Sequence, residues 1–325
     1  MSDHAVERDC RRLLDADPAE VVEVSGFTSD AFRVRTDSGD AVVLKYPQLA
    51  PRVEPAVVRR VSLPRAPTVL AADDGGDASA PCFVMPHYEG RTQPIEAYPA
   101  DVQRTLAREV GRFLRRLREA TTESAFGPFE YDDGLRVTGW TESTPFESWP
   151  AAVDDVAADH RSLARGTELE PVVDRATTCL RDRRERLPET PPAALSYFDA
   201  IGPNLVVADG RLSTVLDWEG VGVTDSRLSV VVAMNRFANI SARRDGPARE
   251  RLLGAVETGY GEAVRTAPWF DSYRLLAVLD LATYGYRLGR PPDAELIEWY
   301  RTSLRRIMDG RRPPTAPTSG RVSRS

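Results

Sequence analysis

Three residues stand close together in "LSYFDAIGPNLVVADGRLSTVLDWEG", residues 195–220: Asp199, Asn204 and Asp217. A free carboxylate can accept the proton of an attacking hydroxyl. An amide oxygen and a second carboxylate form a donor set suited to Mg²⁺, which is held through one or two protein carboxylates plus phosphates and water. Asp199 and Asn204 fall on a loop that leads into a strand, and Asp217 follows the next strand. Each alone is an ordinary turn former. Their grouping on one hairpin, with a single lysine far upstream, points to a site.

That lysine is Lys45, the only one in a chain with 43 Lys and Arg residues. A compositional preference for arginine accounts for the rest but not for the one exception. Lysine offers a compact ammonium on a thin stem and arginine a wide planar fork, so a site shaped for the first rejects the second. Lys45 ends the strand "VVLKYP", and "PRVEPAVVRRVS" follows as a short helix with Glu54 and Pro55 in its first turn. The ammonium is expected to hold a diphosphate while Glu54 holds the ammonium. The plain alternative is a surface ion pair worth under about 1 kcal/mol. Upstream, "SGFTSDAF" reads as a turn whose Ser25, Gly26, Thr28 and Ser29 offer backbone and hydroxyl donors to phosphate oxygens. With Leu44 before the one lysine, a Walker A loop is excluded.

The elements that must carry these residues divide the chain in two. "VVEVSG", "DAFRVRTDSGD" and "AVVLKYP" are short β-rich runs separated by turns, and "APTVLAADD" and "APCFVMPHY" read as two more strands. From Asp101, a candidate cap, "VQRTLAREVGRFLRRLREA" lines up Val102, Leu106, Val110, Phe113, Leu114 and Leu117 as one apolar stripe. Helices are expected over about 145–165 and 171–187. The strands Leu205–Ala208 and Leu212–Leu216 follow, and the chain is then helical until a Pro/Ser/Arg-rich end. The 325 residues are 42% hydrophobic and 28% charged, ordinary for a globular chain. A net charge of −6 argues against nucleic acid as the main partner. The amphipathic start, the absence of a long apolar run and three scattered cysteines suit a cytoplasmic protein without membrane span or disulfide framework.

The motifs resemble those of the aminoglycoside phosphotransferase-like kinases, a branch of the protein-kinase-like superfamily. The family's H-x-D-x-x-x-x-N loop is similar to "YFDAIGPN", its D-W-E metal motif to "LDWEG" and its glycine-loop strand pair to "VSGFTSDAFRV". Its ATP lysine resembles "VVLKYP", its helix acid "VEPAVVRRV" and its connector "FVMPHYEGR". The resemblance runs over residues 20 to 290 and is thinnest in the helical part. It implies an α+β, two-lobed, protein-kinase-like fold: residues 1–88 a nucleotide-binding lobe, 89–310 a helical catalytic and acceptor-binding lobe, and 311–325 a disordered tail. It implies ATP and Mg²⁺ as cofactors, with a small-molecule acceptor bearing a hydroxyl. Lys45 would contact the phosphates, Glu54 would orient Lys45, and Ser25, Gly26 and Ser29 would cover the nucleotide. Asp199 would be the catalytic base and Asn204 and Asp217 the metal ligands, while Met85–Tyr88, including His87, would meet the adenine through backbone.

Two departures mark this chain. Tyr197 replaces the family's bracing histidine, and Ser229 replaces the second acid after D-W-E, next to a retained Asp225. They motivate a contrasting expectation, a nucleotide-binding pseudokinase with a scaffold role. A separate alternative reads Asp217 and Glu219 as alternate residues on a strand forming a glycosidase acid pair. Asp280, inside "YRLLAVLDLATYGY", is expected to be a buried acid bonded to an Arg or Tyr, and Trp140, Trp149, Trp269 and Trp299 are expected to pack.

Overall fold

The computed structural model describes residues 3–24, 29–48, 50–75, 80–237 and 246–311. Contacts divide the chain into two compact units. The first comprises Met1–Thr92, Phe129–Arg136 and Asn204–Val221; the second comprises Gln93–Pro128, Val137–Pro203 and Gly222–Ser325.

The chain opens with α1 (Asp3–Leu14), β1 (Pro18–Glu23), β2 (Ser29–Thr36), β3 (Ala41–Pro47), α2 (Val53–Arg60), β4 (Ala71–Asp73) and β5 (Cys82–Pro86). The five strands form an antiparallel sheet in the order β1-β2-β3-β5-β4. Alternation along β3 sets its two faces. Val42, Leu44 and Tyr46 join Val6 and Cys10 of α1, Phe32, Val34, Cys82 and Val84 in one cluster. Val43, on the other face, packs with Phe83 and Met85. By the same alternation Lys45 falls on the side of Val43, away from α1. Tyr46 Oη donates to the buried Asp9 at 2.9 Å, which ties α1 to the sheet.

The chain continues with α3 (Ala100–Ala120), β6 (Gly127–Tyr131), β7 (Leu135–Val137), α4 (Trp149–Ala164), α5 (Glu170–Asp182) and β8 (Ala193–Ser196). The hairpin β9 (Leu205–Ala208) and β10 (Arg211–Val215) follows, then β11 (Gly222–Asp225), α6 (Arg227–Asn235), α7 (Gly246–Tyr260), α8 (Phe270–Arg287) and α9 (Ala294–Met308). The hairpin belongs to the first unit: Arg91 and Val207 exchange backbone hydrogen bonds of 2.9 and 3.0 Å, and Leu216 packs on the Val43–Phe83–Met85 cluster. Gly90 permits this approach. A Cβ there would lie 2.7 Å from the Val207 carbonyl oxygen, and its φ of +141° is closed to most side chains.

The second unit is largely helical but contains a small sheet that the sequence did not announce. β11 pairs antiparallel with β8 and with the start of β6. Helices α3 and α7 cross backbone to backbone, because a Cβ on Gly111 would fall 2.2 Å from the Val256 carbonyl oxygen and one on Gly259 2.0 Å from that of Arg108. Asp101 is not the cap of α3. The helix starts after Pro99, whose carbonyl accepts from Gln103 N at 2.9 Å, and Asp101 sits in the first turn, where the helix dipole favours an anion. The expected packing roles hold for Trp149, Trp269 and Trp299, which are all buried. Among the described residues no helix is long and apolar enough to cross a membrane.

A polar chain anchors the segment leading into α6. The indole of buried Trp149 donates to Tyr273 Oη at 2.8 Å, Tyr273 donates to Asp225 Oδ2 at 2.6 Å, and Arg227 Nε donates to Asp225 Oδ1 at 2.8 Å. Tyr273→Phe removes the middle member and leaves a buried indole N–H unpaired. The expected loss, read by urea unfolding, is about 1–3 kcal/mol.

His160 on α4 is buried against Thr283 of α8, with Nδ1 2.9 Å from Thr283 Oγ1. Burial, helped by Arg287, pushes its pKa down to about 3. The unfolded chain takes up a proton on this residue near pH 6.5 and the folded chain does not, so stability falls as the pH drops from 6.5 toward 3. At pH 5 this share amounts to about 2 kcal/mol. Unfolding at pH 7.5 and pH 5 should show it, and His160→Asn should lose less stability over that interval than the wild-type chain.

Candidate active site

Lys45 and Glu54 are brought together by β3 and the first turn of α2. Nζ of Lys45 lies 2.7 Å from Glu54 Oε2, 2.8 Å from Asp217 Oδ1 and 3.2 Å from Glu219 Oε1. Lys45 is 6% exposed and Glu54 2%, so this is no surface pair and water screens it little. Glu54 also holds a backbone group, since its Oε1 accepts from the N–H of Trp218 at 3.0 Å. One carboxylate thereby joins helix α2, the lysine of β3 and the segment after β10. An acid in the first turn of α2 is also favoured by that helix's dipole.

Asn204 and Asp217 flank the hairpin. Leu205 pairs with Val215, and the next rung is the bond from Leu216 N to the Asn204 carbonyl, 2.8 Å. Asp217 therefore follows the last rung and leaves the ladder. Its φ of +64° is the left-handed conformation, uncommon outside glycine and best tolerated by Asn and Asp. The turn breaks strand alternation, which corrects the reading of Asp217 and Glu219 as alternate strand residues. They reach the same ammonium through this twist. Glu219 is the residue that sequence reasoning did not place in the site. Its Oε1 accepts from the hydroxyl of Ser29 at the start of β2 as well as from Lys45. The Ser29 hydroxyl is thus engaged by Glu219, while Ser25 and Gly26 lie outside the described residues.

The electrostatics follow from three carboxylates around one ammonium. Burial opposes the charge on Lys45, but Glu54, Asp217 and Glu219 outweigh it and keep the ammonium protonated well above the usual lysine range. Burial pushes the Glu219 acid up to about 7 even though Lys45 pulls it down. Glu54 is raised by burial and by Asp217, against the pull of Lys45. Carboxylate oxygens of Glu54, Asp217 and Glu219 all lie within 4.8 Å of one another. Oε2 of Glu219 is buried and accepts no hydrogen bond. Hard oxygen donors, excess negative charge and one orphaned carboxylate oxygen fit a small divalent cation.

Asp199 belongs to the second unit, on the loop after β8. Its side chain is 38% exposed and lies 3.3 Å from the guanidinium of Arg236. Tyr197 is buried, packs edge-on against Phe113 with ring centroids 6.2 Å apart, and donates its hydroxyl to the Asp199 carbonyl at 3.0 Å. Gly202 fits the loop beneath Gln93, whose carbonyl oxygen would stand 2.2 Å from a Cβ. Ser229, where an acid was expected, is buried and donates to the Ser226 carbonyl at 2.7 Å. Met85 lies on β5 opposite Val43, and the His87 amide donates to the Ala41 carbonyl at 2.9 Å.

The phosphotransferase enzyme family model matches residues 20–269. No curated protein matches the chain in sequence. Among solved structures, a thermostable mutant of aminoglycoside phosphotransferase APH(4)-Ia in ternary complex with AMP-PNP and hygromycin B is 19% identical, with a TM-score of 0.70, covering 94% of this chain and 98% of that one. The amicoumacin kinase hAmiN, in complex with AMP-PNP, Ca²⁺ and Ami, is 12% identical with a TM-score of 0.67, covering 98% and 97%. The fructosamine-3-kinase described as putative from Thermobifida fusca is 19% identical with a TM-score of 0.53, covering 94% and 100%. At these identities the likeness is one of fold, and it matches the α+β, kinase-like architecture expected from the motifs. The family match spans most of the sequence: the chain belongs to the phosphotransferase enzyme family.

Proposed function

We propose that the chain is an ATP- and Mg²⁺-dependent kinase that transfers the γ-phosphate to a hydroxyl of a small molecule of the aminoglycoside, amino alcohol or sugar-like class. The observation that carries this reading is the buried Lys45 ammonium, held 2.7 Å from Glu54 and 2.8 Å from Asp217 in a member of the phosphotransferase family. A lysine fixed in this way is a point charge for phosphate oxygens. Asn204 and Asp217 provide the oxygens for magnesium, and the orphaned Glu219 oxygen is a further donor of the same kind. Magnesium, when bound, neutralises charge on the phosphates. The stretch Met85–Tyr88 meets adenine through backbone, with His87 acting through its carbonyl because its amide is engaged.

Asp199 is the base. The acceptor O–H bond breaks and its proton passes to the Asp199 carboxylate. The acceptor oxygen forms the bond to the γ-phosphorus, and the bond from that phosphorus to the β–γ bridging oxygen breaks, its electron pair leaving on ADP. The Tyr197 hydroxyl braces the Asp199 carbonyl at 3.0 Å, a job that suits the position of the family's histidine. Ser229 keeps a buried hydrogen bond of 2.7 Å. Both departures are thereby accommodated, which favours turnover over the scaffold reading.

The test combines binding and transfer. MgATP should raise the unfolding midpoint of the wild-type chain, by a few kcal/mol of linkage at saturating nucleotide. EDTA, Lys45→Arg and Asp217→Asn should each remove most of that rise. Asp199→Asn should keep it and lose transfer by about 10²–10⁴-fold. Transfer is followed by ADP release over a panel of hygromycin B, an amino alcohol, a ketosamine and free sugars. Stabilisation by MgATP without transfer to any acceptor or to water would favour the scaffold reading, and no stabilisation would defeat both.

A further inference from the structure

The ion pair between Arg236 and Asp199 has no counterpart among the motif residues. Arg236 extends directly from α6, a helix with eight of its residues buried, from Leu228 to Asn235. The start of that helix is pinned by Asp225, which Arg227 grips through its guanidinium and Tyr273 caps from α8 at 2.6 Å. The end of α6 is therefore delivered to a fixed place. The Arg236 side chain is 16% exposed, whereas the Asp199 carboxylate it meets at 3.3 Å is 38% exposed.

The asymmetry matters. A half-exposed carboxylate is solvated by water and needs no cation for stability, while a sheltered guanidinium needs an anion. Arg236 finds that anion in Asp199 at 3.3 Å. Its charge acts on Asp280 of α8, whose acid burial raises while Arg236 and Arg287 pull it down and Asp159 pushes it up. Asp159 is itself paired with Arg287. Tyr300 of α9 feels the same Arg236 charge. The contact in return holds the Asp199 carboxylate against a side chain that the end of α6 delivers.

Resting on the kinase reading above, we propose that Arg236 is the positioning residue for the catalytic base: it holds the Asp199 carboxylate in one orientation toward the acceptor hydroxyl. A long arginine with a planar fork fixes a carboxylate more firmly than a rotating ammonium does. A base held in place gains rate because proton acceptance depends on geometry before it depends on acidity.

The experiment uses the full chain, MgATP with water as acceptor, and then any acceptor that the panel identifies. Arg236→Gln and Arg236→Lys are compared with wild type for kcat, KM for ATP and the midpoint rise produced by MgATP. The expected result is a kcat loss of about 10–100-fold for Arg236→Gln, with KM for ATP and the midpoint rise within about twofold of wild type. Arg236→Lys should recover part of the loss. Unchanged kcat in an active protein overturns this inference and leaves the kinase reading standing. So does loss of the MgATP midpoint rise in both Arg236 variants, which would make Arg236 a folding residue. A wild-type chain that neither hydrolyses MgATP nor phosphorylates an acceptor overturns the kinase reading and this inference with it.

Discussion

The candidate site depends on one buried cation in a ring of acids. Lys45 faces Glu54, Asp217 and Glu219 within 3.2 Å, so three carboxylates surround one ammonium. In so sheltered a place each of these groups is costly to desolvate, and removing any one leaves its partners uncompensated. The balance constrains everything nearby. β3 must deliver the lysine to the face opposite α1, α2 must begin where Glu54 reaches both Lys45 and the Trp218 amide, and β10 must end in time for Asp217 to turn back. It also explains the one lysine among many arginines. Three oxygens at 2.7–3.2 Å around a single nitrogen describe a pocket for an ammonium, and a guanidinium would have to spread its charge over a wider plane.

Much of this was legible in the sequence. The meander β1–β3 announced itself through alternating Val-rich runs and Gly/Ser/Asp turns, and α3 through its apolar stripe, because those are the periodicities that backbone geometry imposes. Lys45 was identifiable as the one lysine in an arginine-rich chain, Asp217 through its grouping with Asp199 and Asn204 on one hairpin, and Glu54 through its place in the first turn of the helix after Lys45. The small sheet of β6, β8 and β11 was not legible. These strands run to four or five residues, and the partners β6 and β11 stand almost a hundred positions apart, a relation that no local pattern encodes. Glu219 entered the sequence reading only as half of an acid pair with Asp217. That it turns to Lys45 depends on the left-handed turn at Asp217, which strand alternation does not encode. Arg236 left no signal at all, being one arginine in a chain rich in them.

Two positions in the motif loops carry buried polar side chains that satisfy themselves locally. The phenol of Tyr197 reaches the Asp199 carbonyl while its ring fills the space against Phe113. Near α6 Asp225 collects both Arg227 and Tyr273, and Ser229 satisfies itself on the Ser226 carbonyl. In both places the constraint is on satisfying a buried polar group, and more than one side chain can meet it.

The backbone at Asp217 narrows what evolution can do there. A left-handed φ of +64° admits glycine, asparagine and aspartate with little penalty and most other side chains only at a cost of about 1–2 kcal/mol. Asparagine would preserve the turn, the oxygen and the size of the side chain while deleting one negative charge. The mildest drift available at this position therefore alters the electrical balance around Lys45 and leaves the architecture intact, so two descendants differing only there would share one outline and hold unequal charge.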